Sequence, residues 1–357
     1  MVLECYNWLL HLFNQIIIGD NFDDKKKWRL SLTLPSWSTH QIRDRPRILR
    51  YFCYYGTLQI SIIDGKSGKE CKMMGLKSIW NAYFAGCCNG LALFQTSGPS
   101  CIVVNPLSKK SIQTIYGPFW GGQSCGFFFH PVAKEYRILN VERVEIDEYE
   151  YQIYLFGAKK WRKIANPYFS RRPTHYRNKP DKEIIDGNPA IVNDALHWCM
   201  NEIIMVFDII KEEFSVRPAP LQDKSYYRMR NLYVKDDQLC FCRLRHGEPL
   251  MDIWILEDYE NWSWVRKYVV NLDWDMNKYP VETSCGSNLW IMGNIRVISI
   301  RNNELVLFWK RRGIFSYHLE FNTIEKLHLR KSKMDDIIDT YYDWTCGFEA
   351  YNETTSG

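Results

Sequence analysis

Residues 159–182 read KKWRKIANPYFSRRPTHYRNKPDK and hold nine Lys or Arg against one Asp. The guanidinium groups of Arg171, Arg172 and Arg177 and the ammonium of Lys179 can grip carboxylate or phosphate oxygens. Tyr168, Phe169, His175 and Tyr176 lie between them and offer flat faces for stacking. Pro167, Pro173 and Pro180 interrupt any regular element, so 166–183 is expected to be a long loop on a rigid scaffold, where binding residues concentrate. These eight side chains are the candidate partner-binding loop. They suit an acidic peptide, a phosphate-bearing partner or single-stranded RNA; a variable solvated loop is the competing reading.

Other reactive residue types are scattered. His130 in FFHP and His197 in ALHW stand alone in apolar surroundings, with no Asp or Ser at triad spacing and no G-x-S-x-G elbow. Packing is the expected role of both. The glycine-rich GPFWGGQSCG at 117–126 lacks the phosphate-binding patterns and reads as a connecting loop. Asp147, Glu148 and Glu150 in EIDEYEY could hold a cation but are expected to be a solvated hairpin tip. The twelve cysteines contain no C-x-x-C. Cys87 and Cys88 are adjacent, and Cys240 and Cys242 share one face of an expected strand. They read as buried, reduced thiols of an intracellular protein, cytoplasmic or nuclear. No catalytic residue, no cofactor site and no metal site is expected, so the chain is not read as an enzyme.

The charge balance of +5 over 357 residues is too mild to call for a nucleic-acid partner. The apolar start, MVLECYNWLLHLFNQIIIGD, is short for a membrane span and carries Glu4, Asn7, His11, Asn14 and Gln15. It has no basic flank or cleavage site of a secretory signal. An amphipathic helix is expected there, and no membrane partner.

The elements that must position these residues are short strands. Aromatics make up 15% of the chain and favour β structure. One hairpin recurs: an apolar strand, a turn, then a strand charged early and apolar late. Its turns centre near Gly65, Leu107, Ala158, Ile209, Glu260 and Asn322, at gaps of 42, 51, 51, 51 and 62 residues. A second hairpin falls between them, with turns near Gly56, Asn89, Val132, Asp194, Asp237 and Asn303. The repeating unit is then two hairpins, or four strands per roughly fifty residues, which is the period of a β-propeller blade. Six units between about 45 and 335 predict six blades; a β-sandwich is the competing architecture, and the even period disfavours it. The segment LALF at 91–94 is apolar at every position, as a strand covered on both faces must be. The closing IDTYYDWTCGFEAYNE (338–353) is expected to add a strand to the first blade and close the ring.

These segments resemble, in order, the plant F-box-associated domain. GCCNGLALF followed by CIVVNPLSKKSIQTI is similar to its "cNGLl … lwNPsTrkyk-lP" stretch. CGFFFHPVAKEYRILNVER, YQIYLFGAKKWRKI, AIVNDALHWCM, IIMVFDIIKEEFSVRPAP and MDIWILEDYENWSWVRKYVV match its later strands, over residues 85–329. Trp161, Trp198 and Trp264 fall where the family also has Trp, and packing between blades is their expected role. The resemblance implies a kelch-like, F-box-associated propeller over 45–353, after an N-terminal segment (1–44) that is partly helical and a possible F-box remnant, with a short tail at 354–357. It also implies a substrate receptor of an SCF-type ubiquitin ligase, binding a protein target through rim loops. In the N-terminal segment only Cys5-Tyr6-Asn7-Trp8-Leu9-Leu10 echoes the last helix of an F-box, and no Leu-Pro-x-(Asp/Glu) opening is present. Skp adaptor and cullin are therefore expected partners only if a functional F-box is present. The alternatives are an F-box-less decoy or adaptor propeller and, further off, a propeller enzyme.

Overall fold

The computed structural model describes residues 47–351 apart from 55, 66, 80, 109, 118–121, 146–147, 168–187, 201–202, 221–229, 246–247, 273–294, 310–312 and 330–345. The expected N-terminal helix lies outside the described residues. The described chain forms six antiparallel four-stranded sheets. Blade 1 holds β1 (Arg47–Tyr54), β2 (Thr57–Asp64) and β3 (Glu70–Lys77), and blade 2 holds β4 (Tyr83–Cys88), β5 (Leu91–Gln95), β6 (Ser100–Asn105) and β7 (Lys110–Tyr116). Blade 3 holds β8 (Gln123–His130), β9 (Glu135–Glu145), β10 (Glu148–Leu155) and β11 (Lys160–Lys163). Blade 4 holds β12 (Ala190–Val192), β13 (Ala195–Met200), β14 (Ile203–Asp208) and β15 (Glu213–Pro218). Blade 5 holds β16 (Arg230–Lys235), β17 (Gln238–Leu244), β18 (Leu250–Asp258) and β19 (Ser263–Asn271), and blade 6 holds β20 (Ile295–Arg301), β21 (Glu304–Trp309), β22 (Gly313–His318) and β23 (Thr323–Leu327). The last strand, β24 (Cys346–Tyr351), returns to blade 1 and pairs with β1, from Arg47 opposite Tyr351 to Phe52 opposite Cys346. The fold is a six-bladed β-propeller, closed as the sequence led us to expect.

One expected hairpin sits elsewhere. In blades 2 to 6 the two predicted hairpins are the first and second strand pairs. In blade 1 the turn at Gly56 joins the second and third strands instead. The cause is the closure: the innermost strand of blade 1 comes from the C-terminal segment, so β1 is already second in its sheet.

Apolar residues on both faces of the middle strands build six cores, one per seam. In β5 all five residues are buried. Ala92 and Phe94 pack toward blade 1, with Leu49, Ile60 and Ile62. Leu91 and Leu93 pack toward blade 3, with Phe127 and Ile138. The period-2 alternation of a strand thus feeds two cores at once. Leu139 and Ile153 meet Leu196 and Phe207 between blades 3 and 4. Ile204 meets Phe241 between blades 4 and 5, and Ile253 meets Leu307 between blades 5 and 6. The last seam joins Val306, Phe308 and Ile314 of blade 6 to Ile48, Phe52, Ile63 and Phe348 of blade 1. Each such side chain contributes roughly 1.5–3 kcal/mol on burial.

Tryptophans tie the seams, as expected. The indole N–H of Trp198 donates to the Cys125 carbonyl at 2.9 Å, and that of Trp161 to Tyr116 at 2.8 Å. Trp262 donates to Pro218 at 2.8 Å, and its neighbour Trp264 packs in the same seam. His197 is fully buried there. Its Nδ1 meets the Ala190 carbonyl at 3.1 Å and its Nε2 the Tyr259 hydroxyl at 2.8 Å. A neutral ring fits both, one nitrogen donating and the other accepting. Burial lowers its pKa from 6.5 to about 4.

Two tests follow from the seams. Phe348→Ala removes the ring that packs on Phe308 at 4.9 Å across the closing seam. It should cost about 3–5 kcal/mol in urea unfolding; a loss below about 1 kcal/mol would mean that the seam does not depend on β24. Because the folded pKa of His197 is depressed, the stability tied to its neutral form is complete above about 6.5 and is lost as pH falls toward about 4. Between pH 7 and pH 5 the chain should lose about 2 kcal/mol through this group. His197→Asn should flatten that slope; an unchanged slope would assign the acid sensitivity elsewhere.

Candidate functional site

Antiparallel order gives the ring two unlike ends. The turns between first and second strands and between third and fourth strands share one end. Those between second and third strands share the other with every blade-to-blade connection.

The turn end is made of tight turns. Asn89 and Gly90 both have positive φ, at 49° and 75°. That is the type I′ geometry an Asn-Gly pair favours. Asn193-Asp194, Asp236-Asp237 and Asn302-Asn303 repeat it. The outer hairpins use a second device: the last residue of the third strand caps the turn. Asp64 Oδ1 accepts from the Ser67 amide at 2.8 Å, Asn105 from Leu107 at 2.9 Å, and Asp208 from Ile210 at 2.9 Å and Lys211 at 2.8 Å. Asp258 accepts from Asn261 at 2.9 Å, and His318 Nδ1 from Phe321 at 3.3 Å. Those bonds hold the Asp258 carboxyl below its ordinary range. His130 works the same way, its Nδ1 accepting from the Ala133 amide at 3.1 Å. Both histidines singled out in the sequence are therefore structural.

The crossing end carries the long segments. Blades 1 and 2 are left by short connections, 78–82 and 117–122. Blades 3 to 6 are left by 164–189, 219–229, 272–294 and 328–345. The candidate loop residues Tyr168, Phe169, Arg171, Arg172, His175, Tyr176, Arg177 and Lys179 lie outside the described residues. Their flanks, Lys163 at the end of β11 and Ala190 at the start of β12, both lie at the crossing end. GPFWGGQSCG is a connection only in its first half, since Gln123–His130 is β8. The strand begins early because Ser124, Cys125 and Phe127 alternate into two seams.

Of the acidic turn expected at solvent, Asp147 and the side chain of Glu148 lie outside the described residues. Glu150 is half-buried opposite Glu142, a residue the sequence reading passed over. Lys163 Nζ donates to Glu150 Oε2 at 2.6 Å, and Gln152 Nε2 to Oε1 at 2.5 Å. Burial and the neighbouring Glu150 charge raise the Glu142 carboxyl, against the pull of Lys163. A legible signal was present: in YRILNVE the polar Asn140 and Glu142 follow Ile138 at a spacing of two, on a buried face of the strand.

Cys53, Cys101, Cys125, Cys240 and Cys242 are buried free thiols. Burial pushes Cys88 and Cys240 up to about 12 and Cys101 to about 11. Among the described residues no three His, Cys, Asp or Glu side chains come together as a metal site would need. Glu349 of β24 pairs with Arg296 of β20 at 2.5 Å, and burial raises its carboxyl in spite of that partner. These arrangements join one blade to the next, and none places a nucleophile beside a base.

The chain is 22% identical over 272 residues to the F-box protein At3g07870 of Arabidopsis thaliana, covering 65% of this chain and 62% of that protein. It is 21% identical over 230 residues to the F-box protein At4g19940 of the same plant, covering 59% and 50%. The chain thus spans between half and two thirds of the length of these relatives. Among solved structures, apo AztD from Citrobacter koseri matches at a TM-score of 0.44 and 11% identity, over 82% of this chain and 84% of that one. TolB from Acinetobacter baumannii matches at 0.42 and 12%, over 78% and 62%. The family model of the F-box associated beta propeller domain matches residues 55–351, from the first turn of blade 1 to the last residue of β24, and the chain belongs to that family.

Proposed function

We propose that the chain is a non-enzymatic recognition subunit that binds a protein target at the crossing end of its propeller. The supporting observation is the distribution of chain between the two ends. One end is closed by capped two- and four-residue turns; the other receives four long connections, including the basic 164–189. A ring that carries its long connections on one side suits positioning of a partner rather than chemistry. In this reading Arg171, Arg172, Arg177 and Lys179 grip acidic or phosphorylated groups, and Tyr168, Phe169, His175 and Tyr176 stack beside them. Residues 1–44 act as the segment toward a ubiquitin ligase, and 45–353 as the receptor, in the cytoplasm or nucleus. Family membership supports a protein target; the Skp adaptor and cullin are the partners an F-box would bring.

Two measurements test the reading. The tagged chain should co-precipitate the Skp adaptor and the cullin from plant extract; recovery of other proteins with neither would make it a free-standing recognition propeller. The triple change Arg171→Ala, Arg172→Ala, Arg177→Ala should weaken capture of any recovered target at least tenfold, about 1.4 kcal/mol. The control Lys134→Ala, Lys211→Ala at the turn end should leave it unchanged. Equal losses in both would remove the crossing end as the binding face.

A further inference from the structure

The seam between blades 2 and 3 changes character along its length. Its apolar part joins Leu91, Leu93 and Val103 to Phe127 and Ile138. At the crossing end it turns polar, through Gln95, Ser124, Asn140, Gln152 and Glu142, each at most 8% exposed. Buried polar groups are costly unless matched. Several here are matched. The Gln95 amide donates to the Gly122 carbonyl, and Gln95 Oε1 accepts from the Ser124 amide at 2.6 Å. Ser124 Oγ meets Cys101 Sγ at 3.1 Å.

Glu142 is the exception. Its Oε2 is buried and has no hydrogen-bond partner among the described residues. Directly across the strand pair stands Glu150, a like charge that destabilises such a pair. Glu150 is satisfied by Gln152 and by Lys163. Two carboxylates thus share one ammonium, and one positive charge is missing.

The geometry says which cation fits. A divalent metal would need further oxygen ligands, and among the described residues no third His, Cys, Asp or Glu joins this pair. A guanidinium carries five donors in a flat fork and can bridge two carboxylates; an ammonium is a point charge. Lys163 sits on the four-residue edge strand β11 with its side chain 71% exposed, so its ion pair is weak and its ammonium can move to water at little cost.

We propose that Glu142 and Glu150 form a socket for an arginine side chain presented by a protein partner, with Lys163 as the resident cation that the guanidinium displaces. The inference rests on the interaction-module reading and adds to it a position on the crossing end and a chemistry. Occupancy would supply the missing partner of Glu142 Oε2 and relieve the repulsion between the two carboxylates. It would also favour the ionised form of Glu142.

The test is a methyl NMR titration of the full chain with N-acetyl-arginine amide and with its neutral isostere, N-acetyl-citrulline amide. The arginine probe should give saturable shifts in blades 2 and 3, and the citrulline probe should bind at least about tenfold more weakly. Glu142→Gln should weaken the arginine probe by about tenfold or more while melting at or above the wild-type temperature. Lys163→Ala should tighten it, since the competitor is gone; a merely structural Lys163 would not. Equal binding of the two probes, an unchanged affinity in Glu142→Gln, or weaker binding in Lys163→Ala would each overturn the socket. If Glu142→Gln does not fold, the probe comparison and Lys163→Ala decide alone. Failure here leaves co-precipitation of a target untouched, so the two readings stand or fall separately.

Discussion

A strand that is apolar on both faces cannot stand at the end of a stack. Every blade here is of that kind. Leu91 and Leu93 look one way from β5, and Ala92 and Phe94 the other. A linear pile of six such sheets would leave two faces bare, each the size of a seam, so the ring must close. The C-terminal strand does this. β24 completes blade 1 as its innermost strand, Phe348 enters the seam with blade 6, and the Tyr351 hydroxyl donates to the Gly90 carbonyl of blade 2 at 2.8 Å. Three blades are thus joined by six residues, and the two ends of the described chain meet in one sheet.

Closure decides what is left for function. With both faces of the middle strands buried, the exposed described residues lie largely on the turns and outer strands. The outer strands are short or charged: β11 is KWRK, and β15 is exposed at five of its six positions. Charge on an edge discourages pairing with other strands. The turn end is occupied by capped turns, whose Asp, Asn and His side chains are engaged with backbone amides. The long connections after blades 3 to 6 begin and end at the crossing end.

The sequence made the architecture legible because a propeller repeats its punctuation. Turn residues recur near a fifty-residue spacing, and uniformly apolar segments such as LALF can only be two-sided. The C-terminal strand of blade 1 was legible in the aromatic closing segment, but its consequence for the phase was not: once β24 is innermost, the Gly56 turn joins the second and third strands. The capping role of Asp64, Asn105, Asp208, Asp258 and His318 was visible as a pattern but was not separated from ordinary turn composition. The polar seam was harder still. Glu142 lies 8 positions before Glu150, and only the register of β9 against β10 sets them opposite. The basic loop was legible as composition alone; its end of the ring follows from the strand order that flanks it.

The polar stretch of the blade 2–3 seam bears on why that seam is not simply apolar. Substituting Leu or Val at Asn140, Gln152 and Glu142 would remove the desolvation cost of those groups and extend the core around Ile138. The seams between blades 1 and 2 and between blades 5 and 6 use that solution and are lined by continuous apolar clusters, whereas the blade 4–5 seam keeps the buried His197. Specificity of blade pairing is a weak reason to keep a carboxylate there, because the chain order already fixes which blade meets which. The carboxylate pair also sits at the end of the ring where the chain departs from minimal length, one strand from the start of the basic connection. The apolar seams elsewhere show that packing does not by itself demand a carboxylate at this position.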